Sequence, residues 1–220
     1  LTHSGRGECA VQARFQEWDY LARDFGDFWH KREDISYLGV EPGIYNMPDG
    51  SVWEVGTFEQ SGNGLWQRVN FKRSYSRAPA LFLTMQTRNG GQAANVRARQ
   101  VGPGGFSSAN YEEEFLMPGG HTLERVGYLA IHHPSANGVT AINGTAKLRG
   151  IDAPYVLMHG QVDHNWRNIN GVTFTLQEEQ SLDIETAHNV ETIDVLLING
   201  QVFAQQVSNN GNDTAALRRR

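Results

Sequence analysis

The sequence predicts an all-β chain of tandem antiparallel β-sandwich units, with incomplete half-units at both ends. Three observations lead there. Seven Asn-Gly steps, beginning at 63, 89, 137, 143, 170, 199 and 210, supply turns where positive φ costs little. Between them lie short alternating runs: "AVQARF" (10–15), "RVNFK" (68–72), "LFLTM" (81–85), "NVRARQV" (95–101), "VTFTL" (172–176) and "VETIDVLLI" (190–198). The third is an internal repeat. "HKREDISYLGV" (30–40), "HTLERVGYLAI" (121–131) and "HNVETIDVLLI" (188–198) share His-x-x-Glu-x-[Ile/Val]-x-[Tyr/Val]-Leu-x-[Val/Ile] without a gap.

The elements follow in chain order. Residues 1–58 read as the second half of a unit plus a connector: an acidic turn, "ARFQEW" (13–18), then the His-x-x-Glu strand at 30–40. Helical periodicity is weak, and its one candidate, "YLARDFGDFWHKREDI" (20–35), is interrupted by Gly26. Residues 59–149 form a complete unit: an Ala-Pro strand, an Asn/Gly turn, an Arg-bearing strand, a Gly turn, a strand ending in "YEEE", a loop, and the His-x-x-Glu strand. Residues 150–199 repeat it in shortened form, "APALFLTMQ" (78–86) matching "APYVLMHGQ" (153–161). Residues 200–220 begin a further unit, since "FLTMQTRNGGQAANVRAR" (82–99) aligns with "FAQQVSNNGNDTAALRRR" (203–220). Joining the end of the chain to its start would therefore regenerate a unit. Three arrangements fit: an excerpt of a longer array, two ends that pair with each other, or a terminal strand that completes a neighbouring molecule.

Composition narrows the function classes. The net charge of -5 and pI near 5.9 argue against a surface that tracks phosphates, so no nucleic-acid partner is expected. Cys9 is the sole cysteine, which rules out an intrachain disulfide framework and a cysteine-based zinc cage. No window approaches the roughly 18 apolar residues of a membrane-spanning helix, and Leu1 opens neither a charged nor an apolar leader segment.

Residues 66–114 resemble the H-type lectin domain. The resemblance rests on Trp66, Val69 and Phe71 in the entry strand, Tyr75 and Pro79, Val96, Arg97 and Arg99 in the Arg-bearing strand, and the Gly105-Phe106 turn. It implies a small antiparallel sandwich, secretion to the extracellular space or cell surface, glycan binding centred on galactose or N-acetylgalactosamine, and oligomerisation. Two features depart from the pattern: the "YEEE" finish, and the extra His-x-x-Glu strand after it.

His121 and Glu124 invite an acid-base or metal reading, but positions i and i+3 of one strand face opposite sides of a sheet. Repetition favours bracing instead, with His121 in the loop before the strand and folding back onto Glu113; contact with a ligand is the alternative. Glu112, Glu113 and Glu114 are adjacent and do not form the opposed carboxylates of a glycosidase. Sugar binding calls for aromatic faces and planar hydrogen-bonding groups. The candidates are Trp18, Trp29, Arg88, Asn89, Glu113 with His121, and the cluster His164, Asn165, Trp166 and Arg167, which would serve equally well as a protein interface. His132-His133 reads as a solvated turn.

The expectation is an extracellular, non-enzymatic glycan-binding or adhesion protein, self-assembling, with no cofactor and no metal. The competing class is a structural subunit of an extracellular filament built head to tail by strand complementation.

Overall fold

The computed structural model describes residues 18–26, 38–116 and 119–133, together with those strands named below that lie outside these ranges. Among the described residues the sheets are antiparallel, and the other regular elements are a 3-10 turn at Glu114–Leu116 and one short helix. That helix, α1 (Asp19–Phe25), ends where Gly26 adopts φ 65° and returns its N–H to the last-turn carbonyls of Ala22 and Leu21. Before it, β1 (Thr2–Ser4) and β2 (Glu8–Ala10) pair with each other.

Seven strands follow: β3 (Gly43–Asn46), β4 (Val52–Gln60), β5 (Gln67–Asn70), β6 (Ala80–Met85), β7 (Asn95–Gly102), β8 (Gly105–Tyr111) and β9 (Glu124–His132). They form two sheets. One has the order β3-β4-β9-β6, the other β5-β8-β7. Their facing sides interdigitate around Phe71, Tyr75, Leu81, Leu83, Val96, Ala98, Phe106, Val126, Tyr128 and Ala130. Removing Leu81 or Phe106 fully from water stabilises the sandwich by about 1.5–3 kcal/mol each. A second apolar cluster, including Tyr45, Trp53, Phe82, Leu129 and Ile131, lies on the far side of the first sheet. With both faces covered, "VGYLAI" in β9 is buried at every position. This explains why the strand reads as a continuous apolar run rather than an alternation.

β4 breaks the expected pattern, and the run-by-run reading passes over it. Its core-facing positions include Glu54 and Gly56. The Glu54 carboxylate is fully buried and accepts hydrogen bonds from the Tyr128 hydroxyl (2.7 Å), the Tyr75 hydroxyl (3.1 Å) and the Lys72 amide (2.7 Å). Burial and the neighbouring Glu54 push both phenols well above their ordinary range, so they remain donors. At Gly56 a Cβ would stand 2.5 Å from the Tyr128 ring, so only glycine lets that ring cross the strand.

Later strands are β10 (Val139–Ala141), β11 (Thr145–Lys147), β12 (Tyr155–Gln161), β13 (Trp166–Asn170), β14 (Thr173–Leu176), β15 (Glu191–Ile198) and β16 (Gln205–Gln206). β10-β15-β12 and β11-β14-β13 form two three-stranded sheets. Counted along the chain, β4 to β9 pair as first-sixth-third and second-fifth-fourth, and β10 to β15 pair in the same order. β16 pairs with β3, Gln205 opposite Asn46 and Gln206 opposite Tyr45, so a strand from the C-terminal region lies on the outer edge of the first sheet of its own chain.

Candidate functional site

One end of the first sandwich is closed by polar side chains. Along β8 the core-facing positions change from Phe106 to Ser108 to Asn110, and Gln60 and Glu124 meet them from β4 and β9, all of them almost fully buried. His121, in the loop before β9, is the centre of this end. Its Nδ1 lies 2.6 Å from Glu112 and its Nε2 lies 3.3 Å from Glu124. Glu112 is tied to Asn63 by its side chain (3.3 Å) and by its own amide (3.1 Å), while the Gly62 amide donates to the His121 carbonyl (2.8 Å). Glu124 accepts from the amides of Asn89 (2.7 Å) and Gly90 (2.8 Å) and from the Thr87 hydroxyl (2.5 Å). Burial pushes the Glu124 carboxyl up, but these donors and His121 outweigh it and hold the group below its usual range.

The pair thus converges because His121 precedes the strand, and its partner is Glu112 rather than Glu113. Glu113 is turned the other way and accepts the Tyr20 amide of α1 (3.0 Å). Strand parity decides this: Glu112 continues the inward set Phe106, Ser108, Asn110, and Glu113 the outward one. Gly90 is required by contact rather than by φ, since a Cβ there would stand 2.7 Å from the His121 ring.

Of the sequence candidates, Arg88, Asn89, Glu113 and His121 gather at this end, and Trp18 stands half-buried at the start of α1, next to the segment that reaches Glu113. Only Arg88 and Asn89 are exposed; His121 and Glu113 are buried among their partners and brace loops. Asn89 donates its side chain to the Leu123 carbonyl (2.7 Å) and Arg88 donates to the Gly91 carbonyl (2.8 Å), so the 87–91 turn is held rigid. Trp166 and Arg167, expected in a loop, instead open strand β13, opposite Leu176 and Thr175. Trp29, His164 and Asn165 lie outside the described residues. His132, expected in a solvated turn, ends β9 half-buried, stacked on the Tyr75 ring (5.3 Å) and 3.0 Å from the Ser76 hydroxyl. Among the described residues no group of three or more His, Cys, Asp or Glu is arranged to hold a metal ion, and no helix is long and apolar enough to cross a membrane.

The outer face of the second sheet carries a different constellation, and the sequence reading did not single it out as a site. Val69, Phe106 and Val96 point to the core, so Arg68, Ser107 and Arg99, which stand side by side across β5, β8 and β7, point away from it. Arg99 lies over the Trp66 ring (4.0 Å) and Arg97 over the Tyr111 ring (4.1 Å), and the two rings touch at 5.8 Å. The braced end sets this pair: Trp66 follows the 62–64 turn pinned by Glu112 and His121, and Tyr111 immediately precedes Glu112. A bulge in β7 adds to it. Gln100 sits at φ 52°, rare for a residue with a side chain, and its carbonyl accepts from Arg68 (3.3 Å) while its amide oxygen accepts from Ser107 (3.2 Å). The signal legible beforehand was the Arg-x-Arg spacing at 97 and 99, which puts both guanidinium groups on one face of a strand. No protein-family model, curated protein or solved structure matches the chain.

Proposed function

We propose that this is an extracellular carbohydrate-binding protein built of tandem H-type-lectin-like sandwich units, acting by recognition rather than catalysis. The observation that carries the reading is the outer face of the β5-β8-β7 sheet, where the exposed Arg68 and the half-buried Trp66, Arg99 and Tyr111 put aromatic rings and planar guanidinium groups side by side. Rings pack against the C–H faces of sugars, and guanidinium groups hydrogen-bond their oxygens. The recurrence of one pairing order in β4–β9 and β10–β15 supports the tandem arrangement. So does the resemblance of residues 66–114 to the lectin domain.

The test is a glycan array probed with the purified chain and with Trp66→Ala. Binding to one or more saccharides that falls at least tenfold in the variant is expected; no binding to any saccharide overturns the proposal.

A second reading is favoured by the pairing of β16 with β3. A strand that completes an edge within one chain can complete the same edge in a neighbour, and a head-to-tail exchange that does not close builds a filament. Sedimentation of the full chain against a version lacking residues 200–220 tests it: assembly lost on truncation supports exchange, and a monomer in both contradicts it.

A further inference from the structure

We infer that the glycan bound on the β5-β8-β7 face is anionic, a polysaccharide carrying carboxylate or sulfate groups, and that Arg68 and Arg99 are the residues that take its charge. The inference rests on the carbohydrate-binding reading above and narrows it.

Charge on the sheet comes first. The chain as a whole carries -5, with 24 acidic residues, yet β5, β7 and β8 contain no Asp or Glu, while all three of their charged residues, Arg68, Arg97 and Arg99, are arginine. Neither Arg68 nor Arg99 is paired with a carboxylate among the described residues. Arg68 is exposed and, among the described residues, donates to the Gln100 carbonyl alone (3.3 Å), while Arg99 is half-buried with its Nε enclosed. Two arginines standing on either side of Ser107, two strand spacings apart, one of them exposed and neither facing a carboxylate, are a receptor for an anion.

The rings then select among anions. A nucleobase needs an open aromatic face on which to stack, and so does the apolar side of a neutral sugar. Here one face of Trp66 is taken by Arg99 and one face of Tyr111 by Arg97. Stacking leaves the guanidinium plane intact, and in-plane N–H groups are what a carboxylate or sulfate accepts from. The rings therefore hold the arginines flat in addition to the C–H contacts of the carbohydrate reading. The Gln100 bulge fixes Arg68 from the other side, which makes the pair preorganised rather than flexible.

Surface-immobilised chain tests this against matched saccharides. Polygalacturonate and its fully methyl-esterified form share a backbone and differ in charge; dextran sulfate and dextran do the same for sulfate; poly(dT) represents nucleic acid. Expected is binding to polygalacturonate, dextran sulfate or both, at least tenfold tighter than to the uncharged partner and weakening as salt rises from 50 to 500 mM. Arg68→Gln and Arg99→Gln should each weaken it about tenfold, the loss of one charge-assisted hydrogen bond. Arg68 is exposed, so Arg68→Gln should leave the thermal unfolding midpoint unchanged and stands as the variant free of folding effects. Equal binding to charged and uncharged forms, with no salt dependence, overturns the anion assignment and leaves the carbohydrate reading standing. Binding to neutral glycans alone does the same, whereas silence on every saccharide removes both. Tighter binding to poly(dT) than to any polysaccharide overturns the inference in favour of a nucleic acid. Unchanged affinity in Arg68→Gln and Arg99→Gln overturns the placement.

Discussion

Glu124 shows how much a single carboxylate can organise. It terminates the core, neutralises the polar end of β9 and holds the 87–90 turn through three donors. Replacing it with alanine leaves the buried Gly90 amide and the part-buried Asn89 amide without an acceptor, so Glu124→Ala should lower stability by about 2–4 kcal/mol, read from the urea unfolding midpoint. Its depressed pKa also sets a sign. The stabilisation is complete above the ordinary carboxylate range and is lost as pH falls through the lower, folded value, so Glu124→Gln should flatten the acid limb of a stability-pH curve. His132 acts in a higher window. Burial, together with Arg77, Arg73 and His133, lowers its pKa below 6.5, so its neutral form is favoured in the fold, stacked against Tyr75. Stability should therefore decline as pH drops below about 6.5, and less steeply in His132→Gln, a difference that thermal melts between pH 7.5 and 5 would resolve. At this scale the sequence revealed which residue types mattered at 112–124 but not which glutamate meets His121. That choice depends on strand parity, which becomes readable once Phe106 is fixed as an inward position.

At the scale of elements, legibility followed alternation. β5, β6, β7, β14 and β15 lie where alternating or apolar runs place them, within two residues. β4 was hidden because a buried acid and a glycine occupy positions that a pattern reader expects to be apolar. Each is explained only by partners distant in sequence: Tyr75 and Tyr128 for Glu54, and the Tyr128 ring for Gly56. Gly56→Ala should cost about 1–3 kcal/mol by forcing that ring off its site, visible as a lowered thermal midpoint with the far-UV spectrum of the sheet retained. The short α1 helix was equally faint. Its seven residues fall well below the length at which periodicity speaks, and only Gly26 marked its end.

For the molecule as a whole, β10–β15 pair in the same order as β4–β9, although every strand of the later set except β12 is shorter than its counterpart. Charge behaves differently. Net charge pointed away from any basic surface, whereas β5, β7 and β8 carry no acid at all, and the acids among the described residues between 18 and 133 lie on α1, on loops, on the first sheet and in the buried end. An average over 220 residues cannot report a face of three strands. That face is the centre of the functional account, and the competing locations are the 87–92 turn and the start of β13. They can be separated by following backbone amide and tryptophan indole shifts by NMR while the chain is titrated with oligogalacturonate. The account predicts perturbations centred on Trp66, Arg68, Arg99 and Tyr111. Perturbations confined to Arg88–Gln92 or to Trp166 and Arg167, with the sheet face unmoved, would contradict it.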